Sequence, residues 1–269
     1  MLLLGYISSF IMGTLLGLIG AGGSILTVPI LFYLFGQDAV IATTNSLFIV
    51  GTAALVGAFI RIRNGDANIK VGILFIIPSF LGIYIARNLI LPAIPNVLVF
   101  PFGITLTKSP LIMTVFAIVM TFSAFAMIRS NDPNSQESSK PKTEPYDFLA
   151  IGFKGLTVGM ITGFVGAGGG FLIIPALVLL LKFSIRQAIG TSLAIIAANS
   201  LFGFAISFTP AQSKSCPLLL IISILGIGGM ILGQTLSSKM NEKYLKSGFG
   251  YFTLAVASSI LFDQGLRVF

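Results

Sequence analysis

The tetrapeptide Gly-Ala-Gly-Gly occurs twice, at residues 20–23 and 166–169, each time in a stretch without a charged residue: GLIGAGGSILTVPIL over 17–31 and GFVGAGGGFLIIPAL over 163–177. Each glycine weakens a helix interior by roughly 1 kcal/mol relative to alanine, so a doubled cluster calls for a reason. A helix that starts just after such a turn presents N–H groups with no acceptor in the helix, at the positive end of its dipole. That arrangement is an anion site made from backbone alone, and glycine lets a ligand approach the main chain closely. The candidate substrate-binding residues are therefore Gly20, Ala21, Gly22, Gly23 and Ser24 in one copy, and Gly166, Ala167, Gly168, Gly169 and Gly170 in the other. The competing reading is close helix packing through small residues. Two copies, each followed six residues later by a proline (Pro29, Pro175), favour the ligand site. The prolines themselves read as kinks.

Hydroxyls and amides inside apolar stretches come next. ATTNSL (42–47) and AIGTSL (188–193) align Thr44, Asn45 and Ser46 with Gly190, Thr191 and Ser192. Near a helix start, Asn45, Ser46, Thr191 and Ser192 could donate to an oxyanion without adding charge, or could equally bond back to a preceding carbonyl or bridge two helices. Asn199 and Gln234 are large amides expected to face the interior. Asp38, Arg87, Lys154, Lys182 and Asp263 fall near the ends of apolar stretches, where long side chains reach out to the interface. Lys154 is the most interior of them, and a role beside an anion is open to it. No carboxylate sits in the middle of an apolar stretch, so no buried proton relay is written into the chain. There is no His, and the single Cys216 stands beside Pro217 at an expected loop, so no nucleophile–base pair, metal cluster or resident cofactor is indicated and an enzyme is not expected.

The elements that must position these residues are membrane helices. Only 9% of residues are charged and 55% are hydrophobic, where soluble domains carry about 25% charge. Apolar blocks at 39–60, 71–89, 110–128, 148–165, 188–208, 218–236 and 249–262 approach the roughly 20 residues that cross a bilayer. The expected class is all-α, a polytopic integral membrane protein. The net charge of +8 fits basic loops that set orientation better than nucleic-acid binding.

At an offset of 146 residues, Gly17, Leu26, Pro29, Leu31, Ser46, Leu47, Gly57 and Gly82 also recur. The first residues match 148 onward and so read as part of the fold, not as a leader. Two membrane repeats follow, 1–128 and 148–269, of about five segments each. They are joined by a polar, Pro- and Ser-rich linker at 129–147. Placing the linker in the cytoplasm leaves only Arg87, Lys108, Lys214 and Arg267 of the sixteen basic residues outside. Matching loops (36–38 and 182–184) then fall on opposite sides, so the repeats are expected to be inverted, as in many secondary transporters. Each repeat would open with a pair of segments that goes in and returns, 2–19 with 24–35 and 148–165 with 170–181, with a glycine turn within the depth of the membrane. The two helix starts would then face one another across the pair.

The doubled G-x-x-GAGG-x-x-x-x-x-P pattern (Gly17–Pro29, Gly163–Pro175) and the A-x-G-TSL element (Ala188–Leu193) resemble the TauE/SafE family of sulfite and organosulfur-anion exporters, over all of the chain except the linker. The resemblance implies a multi-pass cell-membrane permease, probable in export, for a small sulfur-containing anion such as sulfite or a sulfonate. In the first repeat the GTSL position reads TNSL (Thr44–Leu47), so that arm presents a different donor set. Alternating access is the expected mechanism of an inverted pair. The alternative is an anion-selective channel using the same backbone donors. The oligomeric state is not written in the sequence.

Overall fold

The computed structural model describes residues 2–20, 22–95, 97–99, 105–129, 148–166, 168–175, 177, 183, 185–208, 216–237 and 242–268. Ala21, Ala167, Lys182 and nearly all of the expected linker lie outside these residues. Helix α1 (Leu2–Ile19) is followed by α2 (Gly22–Pro29), which continues as a π-helical turn (Ile30–Leu34). The change comes directly after Pro29, which has no N–H for the preceding turn. Then come α3 (Ala39–Arg63) and α4 (Ile69–Ile85), the latter extended by a second π-helical turn (Ala86–Ile90) and the short α5 (Leu91–Ala93). Asp38 caps α3 by accepting from Val40 N at 2.9 Å, and Asn68 caps α4 by accepting from Val71 N at 3.3 Å. The extra residues of the first repeat form an antiparallel strand pair, β1 (Val97–Val99) with β2 (Thr105–Thr107), Leu98 opposite Leu106. After it come α6 (Lys108–Arg129), α7 (Phe148–Val165), α8 (Gly170–Pro175), α9 (Ile185–Ser207), α10 (Cys216–Ser237) and α11 (Glu242–Val268).

Among the described residues, six helices are long and apolar enough to cross a membrane. Apart from the small strand pair the architecture is all-α, a polytopic membrane protein. Burial separates an inner pair from an outer ring. In the 18-residue apolar windows of α3 and α9, 67% and 61% of the residues are buried, against 39% in those of the other four spans. Large side chains such as Leu3, Phe122 and Phe262 point outward instead, as a hydrocarbon surrounding permits.

The helices interlock across the two halves of the chain. The first helix of each half packs on the fourth helix of the other, α1 on α10 and α7 on α4, while α3 packs on α9 and α6 on α11. Glycines make these crossings close. A Cβ on Gly13 would strike the Gly226 carbonyl, and one on Gly159 would strike the carbonyl of Ser79. Directions follow from the same contacts. Gly155 faces Phe75 and Pro78 while Gly163 faces Ile83, so α4 and α7 run parallel. Gly51 meets Leu201 and Gly203 meets Leu47, so α3 and α9, which occupy matching positions in the two halves, run antiparallel.

Candidate functional site

Each glycine turn is pressed against the start of a long helix from the other half. Gly20 has φ +78° and Gly166 has φ +74°, a conformation that side chains with a Cβ rarely adopt. A Cβ on Gly20 would overlap Ile189, and one on Gly166 would overlap Thr43. Ile189 and Thr43 are themselves 146 residues apart. The serines complete the match. Ser46 Oγ donates to the Gly166 carbonyl or to that of Thr43 (2.9 Å), and Ser192 Oγ reaches the Gly20 carbonyl at 3.4 Å and that of Ile189 at 2.8 Å. Both serines are fully buried. Their hydroxyl protons thus hold the turns in place.

The other candidates divide between the two ends. Asn45 Nδ2 donates to Gln37 Oε1 (3.0 Å), and its own Oδ1 is buried without a partner among the described residues. Thr191 Oγ1 accepts from Asn68 N at 2.9 Å, beside a Gly190 that packs on the Asp66 carbonyl. Gly23 packs on the Met12 carbonyl and Gly169 on Thr162, so both serve close approach of chain to chain. Gly22 opens α2 and Gly170 opens α8, and Ser24 is buried in the first turn of α2. Because Leu47 faces Gly203, Ser46 and Ser192 stand roughly 18 Å apart along the helix axes at about 1.5 Å per residue. In this conformation they cannot touch one small ion together. The two serines belong to two clusters, one at each turn, with α2 and α8 in contact between them.

Gly168 lies closest to the middle. A Cβ there would meet Ser200 Oγ at 2.5 Å, Val50 at 3.1 Å and Ile196 at 3.2 Å. Val50 and Ile196 are each near the centre of their helix, α3 and α9. Ser200 is fully buried and its hydroxyl has no partner among the described residues. Sequence reading passed over Ser200, although Asn199-Ser200-Leu201 repeats the Asn45-Ser46-Leu47 tripeptide. Of the two large amides, Asn199 donates to Ser79 Oγ (2.7 Å) and Gln234 to the Gly57 carbonyl (3.0 Å), each leaving its oxygen unpartnered among the described residues.

One charge departs from expectation. Arg87 does not reach out to an interface: it is 5% exposed, donating to Thr44 Oγ1 (2.9 Å) and the Thr43 carbonyl (3.2 Å). The reason is that the π-helical turn and α5 carry the span begun by α4 on to Ala93, so Arg87 is inside the span, held against the start of α3. Lys154 is half-buried near the start of α7. Asp38 Oδ2 accepts from Ser109, and Asp263 Oδ2 accepts from Tyr33 and Gln264. These last contacts rim a cavity of about 520 Å³ between Tyr33, Gln37, Asp38, Ser109 and Gln264. At the other end, Arg61 joins Asp66 (3.2 Å) and Ser237 (3.3 Å).

The sulfite exporter TauE/SafE family model matches residues 5–260. The chain belongs to the TauE/SafE family. It is 27% identical to a probable membrane transporter protein of Methanocaldococcus jannaschii, over 97% of this chain and 92% of the relative. It is 26% identical to one of Xylella fastidiosa, over 94% and 92%. A third, from Bacillus subtilis, is 27% identical over 87% of each. No solved structure matches. As a TauE/SafE member whose helices are built to span a bilayer, the protein is a multi-pass membrane transporter and not an enzyme.

Proposed function

We propose that the protein carries a small sulfur-containing oxyanion, sulfite or a sulfonate, out across the cell membrane by alternating access. The observation that carries this reading is the reciprocal lock of each glycine turn onto the opposite half, Ser46 on Gly166 and Ser192 on Gly20. It ties the breaks in the two short helices to the antiparallel α3 and α9, which supports two inverted repeats, 1–128 and 148–269, with 129–147 as a cytoplasmic linker. It also holds irregular backbone within the protein at membrane depth, which is tolerated only when buried or lining a cavity. The ion is bound between the turns by amide donors of the first turn of α2 and by the Ser200 hydroxyl beside Gly168, while Ser46 and Ser192 hold the turns. Donors of this kind suit an oxyanion and need no acid or metal. The family description names sulfite, which makes sulfite the first ion to try.

The deciding experiment is sulfite efflux from proteoliposomes containing the full chain. Saturable efflux, accelerated by sulfite on the opposite side and inhibited by sulfonates ahead of chloride, is the expected result. A flux linear in concentration with no countertransport would mark a channel. Absence of flux with sulfite, thiosulfate, sulfate, sulfoacetate and taurine would overturn the oxyanion reading.

A further inference from the structure

Arg87 is a cation enclosed in a membrane-spanning helix with no carboxylate partner among the described residues. Its guanidinium donates to two neutral oxygens, Thr44 Oγ1 and the Thr43 carbonyl, and its Nε–H is buried with no acceptor among the described residues. An ionisable group inside a span is costly and marks a transport pathway by default. The second half builds the equivalent crossing without a cation. The matching position in the second half is Gly233, which makes the equivalent crossing of α10 against α1 by lying directly on the Thr14 carbonyl.

The surroundings of Arg87 lead to the open cavity. Gln37 lines that cavity and bonds Asn45, whose neighbour in the chain, Thr44, holds the guanidinium. Thr43, the other anchor, is the residue against which Gly166 is pressed. The guanidinium is thus linked through Thr44 and Asn45 to Gln37 of the cavity wall, and through Thr43 to the second glycine turn. Asp38, the carboxylate on the cavity wall, is already engaged by Val40 N and Ser109. A guanidinium edge with a free Nε–H matches two oxygens of an oxyanion in a way that an ammonium does not.

We infer that Arg87 is the charge-bearing contact for the transported oxyanion at the 36–38 end of the pathway, and the residue that selects anions over neutral solutes. This rests on the oxyanion reading above. The test uses the full chain in nanodiscs, with sulfite-induced thermal stabilisation as readout and the melting temperature without anion recorded separately. Arg87→Gln should raise the sulfite concentration needed for half-maximal stabilisation about tenfold or more, with Arg87→Lys falling between it and the wild type. A folded Arg87→Gln protein with an unchanged sulfite response overturns the inference. Should Arg87→Gln not fold, the wild type decides. Phenylglyoxal modification of Arg87, read by peptide mass spectrometry, should be slowed by sulfite while that of Arg61 is not. Modification that sulfite leaves unchanged, or an Arg87 that never reacts, overturns it. A wild type that responds to no oxyanion removes the oxyanion reading itself, an outcome distinct from a wild-type response that the variant retains.

Discussion

At the scale of single residues, buried hydroxyls fall into two kinds that substitution separates. Ser46 spends its proton on carbonyls of α3 and the second glycine turn, so Ser46→Ala should cost about 1 kcal/mol, read as a lower melting temperature. Ser192→Ala should cost less, since its reach to Gly20 is 3.4 Å. Ser200 has no partner among the described residues, so Ser200→Ala should leave the melting temperature without anion unchanged or raise it, while sulfite affinity falls several-fold. The glycine turns were legible because a costly residue type was written twice at one offset. Ser200 was not, because one hydroxyl among many in α9 has no mark until Gly168 is set against it. Arg87 was misread because distance to the interface was counted from the end of the apolar block, and the π turn that carries α4 past that point has no sequence signature.

At the scale of elements, closeness of backbone to backbone decides which glycines matter. Gly159 lies against the Ser79 carbonyl where α7 crosses α4. Gly159→Ala should therefore destabilise by about 1–3 kcal/mol through overpacking, measured as thermal unfolding in detergent. Gly152 is in the same helix with nothing near its Cβ position, so Gly152→Ala should be neutral or stabilising by up to about 1 kcal/mol. The long helices were readable from apolar length, and the short returning segments from their proximity to a glycine turn and a proline. The strand pair β1–β2 was not. Strand β1 (Val-Leu-Val) is as apolar as the helices around it, and three residues per strand, Thr-Leu-Thr in β2 included, are too few for period-two alternation to stand out.

At the scale of the whole molecule, the antiparallel course of α3 and α9 predicts where their leading loops lie. Gln37→Cys and Phe183→Cys, each in a Cys216→Ser background, should react with a membrane-impermeant maleimide from opposite faces of the membrane. Labelling of both from one face would end the inverted arrangement. The interlocking of the helices also bears on how the molecule is made. The first and fourth helices of each half find their main partners in the other half, so a nascent chain that has delivered only residues 1–129 to the bilayer holds most of its glycine grooves empty. It is half of a clasp. Synthesised as two separate polypeptides, 1–129 and 148–269, each should be degraded when expressed alone and should persist, assembled, when both are present in the same cell.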